Sequence, residues 1–212
     1  TSGTAGWPKG VMLSHANIVA NAAQCRDTGM ARPDDVFLSI LPLSHMFERT
    51  GGYYLPLSIG ARVVFGRGAA HVAGDMVAQA PTAIFAVPRV FERIRARIDR
   101  SLADAPAKRM LFDQCVARGS RLASGSGTVL DRLLAPLLRR LVAAPILARF
   151  GGRLRFAVVG GAALDPALAR IFIGLGLPLL HGYGMTEASP VIAVNRDGDN
   201  VPESVGPPLP GV

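Results

Sequence analysis

Short apolar runs, separated from one another by helix-length stretches, constrain the fold of this chain more than any other feature. Residues 36–41 form one such run, stopped by Pro42, and residues 154–159 form another, stopped by Gly160-Gly161. Arg62–Phe65, residues 83–87 and residues 178–180 are further candidates. Apolar runs of this length suit strands buried on both faces, and strands alternating with helices make an α/β domain with a largely parallel sheet. The intervening helices are legible from their punctuation. Ser14 is placed to cap a helix reaching about Asp27, with Gly29 as its stop, and Ser44 to cap a second helical start that Gly51-Gly52 loosens. Val72–Gln79 reads as a helix, as do residues 90–102, 107–122 and 129–150, and one more starts at Asp165 or Pro166. At 212 residues and half apolar, the chain has enough material for a core of its own.

Charge is distributed unevenly. The net charge is +8, yet residues 89–155 alone hold 15 Lys and Arg against 5 Asp and Glu. The plain reading of this basic 89–155 segment is a set of solvated arginine-bearing helix faces. Peripheral contact with a membrane surface is the alternative. Nucleic acid is not expected, since the segment has few aromatics and no reading motif. No apolar stretch approaches the ~20 clean residues of a membrane-spanning helix. Cys25 and Cys115 stand far apart with no metal-type spacing, which predicts two free thiols in a reduced, cytoplasmic setting.

Two glycine-rich segments carry the chemistry. TSGTAGWPKG (residues 1–10) combines glycines, hydroxyls and Lys9, so its backbone N–H groups and one positive charge can cradle a polyphosphate. It is not a Walker A loop: Pro8 stands where that pattern needs glycine, and Gly10 follows Lys9 in place of Ser or Thr. The second, GYGMTEASP (residues 182–190), reads as a turn following the strand at 178–180. Between the two lie VVGGAAL (158–164), after the clearest strand, and LPLSHMFER (41–49); SVGPPLPG (204–211) follows.

These segments, in this order, resemble the motifs of the adenylate-forming (AMP-binding) enzyme superfamily. LPLSHMFER, VPRVFERI (87–94) and the helical excursion at about 88–150 are similar to long-chain fatty acid–CoA ligases. The resemblance implies part of the large N-terminal domain of such an enzyme, α/β with a mostly parallel sheet, flanking helices and an inserted helical segment. By resemblance, Thr1, Ser2, Gly3, Thr4, Gly6 and Lys9 hold the phosphates of ATP. Gly160, Gly161 and Ala162 border the adenine, and Gly182, Tyr183, Gly184 and Met185 line the nucleotide, with Tyr183 against the base. Thr186 contacts the α-phosphate and Glu187 helps to hold Mg²⁺. His45 lines the acyl or carboxylate site, whereas His15 and His71 read as structural. Where peptide-synthetase relatives place an aspartate for an amino group, this chain has His45, Met46 and Phe47, so the implied substrate lacks an α-ammonium. Ala5 and Ala163 depart from the family pattern, which usually has Thr and Pro there.

The implied activity is activation of a fatty acid by ATP to an acyl-adenylate, followed by transfer to CoA. The resemblance further places a ribose-binding aspartate and a lid domain with its lysine outside these residues, so the chain is expected to be an internal fragment, inactive alone. Other readings are a fatty acyl-AMP ligase or medium-chain synthetase, a non-catalytic nucleotide-binding module, and a basic membrane-binding module.

Overall fold

The computed structural model describes residues 10–212. Among them a six-stranded sheet forms, in the order β2-β1-β3-β4-β5-β6. These are β1 (Val36–Ser39), β2 (Arg62–Phe65), β3 (Ala83–Ala86), β4 (Phe156–Val159), β5 (Leu179–Gly184) and β6 (Val191–Val194). β1 to β5 pair in parallel, and β6 closes antiparallel on β5. Side chains alternate across the sheet, so each apolar run feeds two cores. Leu38, Ile84, Ala157, Val159 and Leu179 enter one, while Phe37, Phe85, Phe156, Val158 and Leu180 enter the other. Burial on both faces explains why these strands read as continuous apolar runs.

The first core lies beneath α4 (Val72–Gln79), α5 (Pro88–Leu102), α6 (Pro106–Ala123) and α9 (Pro166–Leu175). Phe91, Phe150 and Phe172 interlock there, Phe91 and Phe172 edge to face at 5.1 Å. α6 and α9 cross backbone on backbone. A Cβ on Gly119 would fall 1.9 Å from the Gly174 carbonyl, and one on Gly174 would fall 2.4 Å from that of Val116. The second core lies beneath α1 (His15–Arg26) and a helical stretch comprising α2 (Met46–Glu48), a π turn (Arg49–Tyr54) and α3 (Leu55–Ser58).

Most predicted helix boundaries hold. Ser14 caps α1 and exchanges hydrogen bonds with Asn17 in a capping box. Asp165 caps α9, accepting from the Ala167 amide at 2.8 Å. The run expected at 129–150 is helical but interrupted: α7 (Val129–Leu138) contains Pro136, then a π turn (Arg139–Ala143), α8 (Ala144–Leu147) and a 3-10 turn follow. Pro136 and Pro145 each remove an amide donor, and the ladder widens between them.

Gly51-Gly52 loosens the helix as expected, since the ladder widens to the π turn there, and it also lets the helix pack, because Cβ atoms there would strike the Phe85 ring at 2.3 Å and Glu48 Oε1 at 2.5 Å. Two expectations need correction. Ser44 does not cap α2; His45 occupies that position and makes no side-chain capping bond. The segment 182–190 is not one turn. Gly182 and Tyr183 continue β5 and pair with Val194 and Ala193, and a bulge falls between Tyr183 and Gly184.

The strand starts are held by Asp35, which is buried. It accepts two bonds from the Arg155 guanidinium, at 3.0 and 2.6 Å, one from Thr82 Oγ1 at 2.6 Å, and one from the Arg32 amide. Burial alone would raise its carboxyl pKa, but Arg155, Thr82 and Arg32 together outweigh that and hold it below the ordinary value. The amino ends of β1, β3 and β4 are thereby tied together, opposite the end where ligands enter such sheets.

Candidate active site

The carboxyl ends of β3, β4 and β5 open onto a mostly apolar cavity of about 210 Å³, on the face covered by α1. Its wall draws His45, Met46 and Phe47 from the α2 start, Gly161 from the loop after β4, and Gly182 to Thr186 from β5 and beyond. Segments more than a hundred residues apart in sequence therefore converge on one site.

Close packing dictates the glycines in the loop after β4. The Gly160 amide donates to the Ala86 carbonyl at 3.1 Å, which carries β4 pairing to its end. A Cβ on Gly160 would lie 3.0 Å from the Phe47 ring and 3.2 Å from the Gly182 carbonyl. Gly161 turns the chain at φ +78°, a left-handed conformation that favours glycine. Ala162 is exposed beside it. His181, just before the Gly182 segment, is partly buried; that burial lowers its pKa, with the Ala162 backbone opposing.

The other wall is the β5–β6 connection. The Met185 amide donates to the Pro190 carbonyl at 2.9 Å, and Thr186–Ala188 forms a 3-10 turn between them. Thr50 Oγ1 donates to the Ser189 carbonyl at 3.3 Å, which links the π turn to this loop. Asn21 of α1 fixes β6 by a reciprocal pair, its amide nitrogen donating to the Val191 carbonyl at 2.8 Å and its oxygen accepting from the Val191 amide at 3.0 Å. Tyr183 and Met185 are about half exposed, so an aromatic face and a thioether are presented at the cavity mouth.

Of the residues singled out in the sequence, His45, Gly161, Gly182, Tyr183, Gly184, Met185 and Thr186 line one cavity. Gly160 and Ala162 flank it. Glu187 is exposed in the 3-10 turn, next to Thr186 but outside the cavity wall. Thr1, Ser2, Gly3, Thr4, Gly6 and Lys9 lie outside the described residues. Among the described residues no group of three or more His, Cys, Asp or Glu side chains forms a metal cage. A single exposed carboxylate still fits Mg²⁺, which usually keeps most of its water and arrives with substrate phosphates.

Sequence reasoning missed Cys25, Met30 and Ala31 in the cavity wall, and it missed Glu48. Cys25 and Cys115 are free and buried, as expected, and burial pushes the Cys25 thiol up to about 12. Glu48 is fully buried between the carboxyl end of β1 and the π turn. Desolvation pushes its carboxyl from an ordinary 4.5 up to about 7. The Ser39 hydroxyl and the Ile40 and Leu41 amides lie alongside and pull it down, yet neither carboxylate oxygen closes a hydrogen bond among the described residues. A charged residue between Phe47 and a Gly-Gly pair was the available signal. Because the folded-state pKa is raised, the folded protein holds the extra proton between pH 4.5 and 7, and stability falls as pH rises through that window. Glu48→Gln is expected to abolish this slope and to gain about 3 kcal/mol at pH 8, with no gain at pH 4. Urea titrations of both proteins across that range check it; parallel curves would show that Glu48 does not titrate there.

The chain is 36% identical, over 99% of its length, to long chain acyl-CoA synthetase 6, peroxisomal, of Arabidopsis thaliana, and spans 30% of that protein. It is 35% identical, again over 99% of its length, to human long-chain-fatty-acid–CoA ligase 6, of which it also spans 30%. Among solved structures, ATP-bound MatB from Rhodopseudomonas palustris superposes over 100% of this chain and 33% of its own, with a TM-score of 0.67 and 26% identity. The profile of the family described as AMP-binding enzyme matches residues 1–212. The chain belongs to the AMP-binding enzyme family.

Proposed function

We propose that this chain supplies the nucleotide and acyl-carboxylate part of an AMP-forming fatty acid–CoA ligase. The observation that carries the reading is the convergence of His45–Phe47, Gly161 and Gly182–Thr186 on one apolar cavity at the strand carboxyl ends. The curated relatives named as long-chain synthetases and the ATP-bound structural neighbour support it. The chain spans about 30% of the length of those relatives, so turnover is assigned to the full-length enzyme, and the 212 residues alone are expected to be inactive.

In this reading a fatty acid carboxylate attacks the α-phosphorus of ATP, pyrophosphate leaves, and the CoA thiol then displaces AMP. The protein's part is positioning and charge neutralisation. The apolar wall of Phe47, Phe85 and Val158 takes the start of the acyl chain and keeps water from the acyl-adenylate, while His45 at the cavity mouth orients the carboxylate. Gly160 and Gly161 let backbone approach the base, and Tyr183 offers its ring to it. The Thr186 hydroxyl, at the bend after β5, donates to the α-phosphate, and Lys9 with the hydroxyls of its loop holds the outer phosphates. Mg²⁺ carried in with ATP would be held by Glu187 and would offset the charge of crowded phosphate oxygens.

A medium-chain substrate is the second reading, since the apolar lining of the cavity suits an acyl chain of either length. Pyrophosphate exchange by the full-length enzyme, over saturated fatty acids from medium to long chain, tests both readings. Fatty-acid-dependent exchange with AMP as the product is expected. Release of ADP and phosphate would overturn the proposal, and a maximum at medium chain length would select the second reading.

A further inference from the structure

The opposite face of the sheet holds a larger concavity. A groove of about 790 Å³ is bounded by α4, α5, α6 and the helical run through α8, within the ~300–1,000 Å³ typical of small-molecule sites. Val90, Ile94 and Ile98 of α5 follow one another at four-residue spacing, so they share one helix face and form an apolar floor. Arg89, Arg93 and Arg97 repeat the same spacing one position earlier and stand beside that floor, and Lys108 and Arg149 also border the groove.

The charges in this segment divide into two sets. Arg95, Arg109, Arg118 and Arg121 are paired with Asp99, Asp113 or Asp131. The five cations bordering the groove are all exposed, and among the described residues none pairs with a carboxylate. Val77, Leu111 and Leu141 line the same groove while 57%, 39% and 58% exposed. Apolar surface open to water beside unpaired positive charge marks a site for a ligand of complementary make-up. The floor calls for a flexible hydrocarbon chain. Several guanidinium groups in a row call for phosphates, because a lone carboxylate would engage only one or two of them.

We propose that this groove is a second lipid site, taking a long-chain acyl-CoA with its tail on the α5 floor and its phosphates against Arg89, Arg93 and Arg97. The groove and the candidate active site lie on opposite faces of the sheet, so occupancy of one does not require the other to be empty. Choosing a CoA thioester among phosphate-headed acyl compounds rests on the function proposed above; the fit of an acyl chain and phosphates does not. The test therefore measures binding and not turnover, and it can succeed or fail independently of the exchange assay.

Isothermal titration of the purified protein with palmitoyl-CoA, kept below its micelle concentration, is the experiment. CoA alone, palmitate, palmitoyl lysophosphatidate and anionic phosphatidylglycerol vesicles serve as separate arms. Saturable palmitoyl-CoA binding is expected, weakened about tenfold or more by Arg93→Glu/Arg97→Glu and weakened by added salt. Ala73→Trp, which fills the groove from an exposed position, should weaken it comparably. Undiminished binding by both variants would overturn the proposal, as would binding confined to vesicles or to lysophosphatidate. Cross-linking of wild-type protein with a photoreactive palmitoyl-CoA decides the matter if either variant misfolds. Labels on Val90, Ile94, Leu141 or Ile146 support the site, and labels confined to the cavity of His45 and Thr186 refute it.

Discussion

In the full-length enzyme, Glu187→Gln and Lys9→Ala are each expected to slow fatty-acid-dependent pyrophosphate exchange by about a hundredfold, or ~3 kcal/mol of transition-state stabilisation. Both residues are assigned to phosphate charge, which rises as the carboxylate approaches the α-phosphorus. A carboxamide keeps the shape of Glu187 but loses its charge and hence its hold on a hard cation. Glu187 is exposed in a short turn and makes no side-chain hydrogen bond among the described residues, so its replacement should leave the unfolding transition in place. Exchange rates measured at saturating ATP, beside thermal unfolding curves, separate loss of chemistry from loss of fold. Wild-type exchange in both variants with unchanged unfolding would remove these residues from the site.

The second large effect is structural. Gly119→Val is expected to destabilise the chain by about 3 kcal/mol or more. At this crossing the atom facing a new side chain is the Gly174 carbonyl, 1.9 Å from the position of a Cβ, and the opposing glycine meets the Val116 carbonyl in return. Backbone cannot rotate aside as a flexible side chain can, so α6 and α9 would have to part and open the core around Phe112 and Phe172. Gly74 in α4 provides the contrast. Its nearest neighbour is the tip of Arg67 at 3.7 Å, so Gly74→Ala should be neutral or stabilising by up to about 1 kcal/mol. Urea unfolding of the two variants gives the answer, and equal stabilities would show that the α6–α9 crossing relaxes freely.

The parallel part of the sheet was legible because burial on both faces leaves no polar alternation to confuse the reading. Residues 36–41, 83–87 and 154–159 announced strands for that reason, and Ser14 and Asp165 marked helix starts by their side-chain chemistry. β6 was not legible. VIAV at Val191–Val194 is short and follows a motif that looks like one long turn; only its pairing with Gly182 and Tyr183 makes it a strand. Ser44 misled because two polar residues precede α2 and the chain uses the second, His45. The cavity members recognised in advance were those inside family-like motifs. Cys25 and Met30 escaped because nothing local to them signals where distant strands will bring the backbone, whereas Glu48, outside the cavity wall, carried a local signal in its charge between Phe47 and a Gly-Gly pair.

The Asn21–Val191 bridge joins residues 170 apart in sequence. During synthesis the strand that anchors α1 follows it only after roughly 10–30 s at ~5–20 residues per second. Until then the ring of Phe85 and the other side chains beneath α1 lack their final cover. Between those two events the wall of the cavity stays available to chaperones, and α1 is fixed over it only when Val191 arrives.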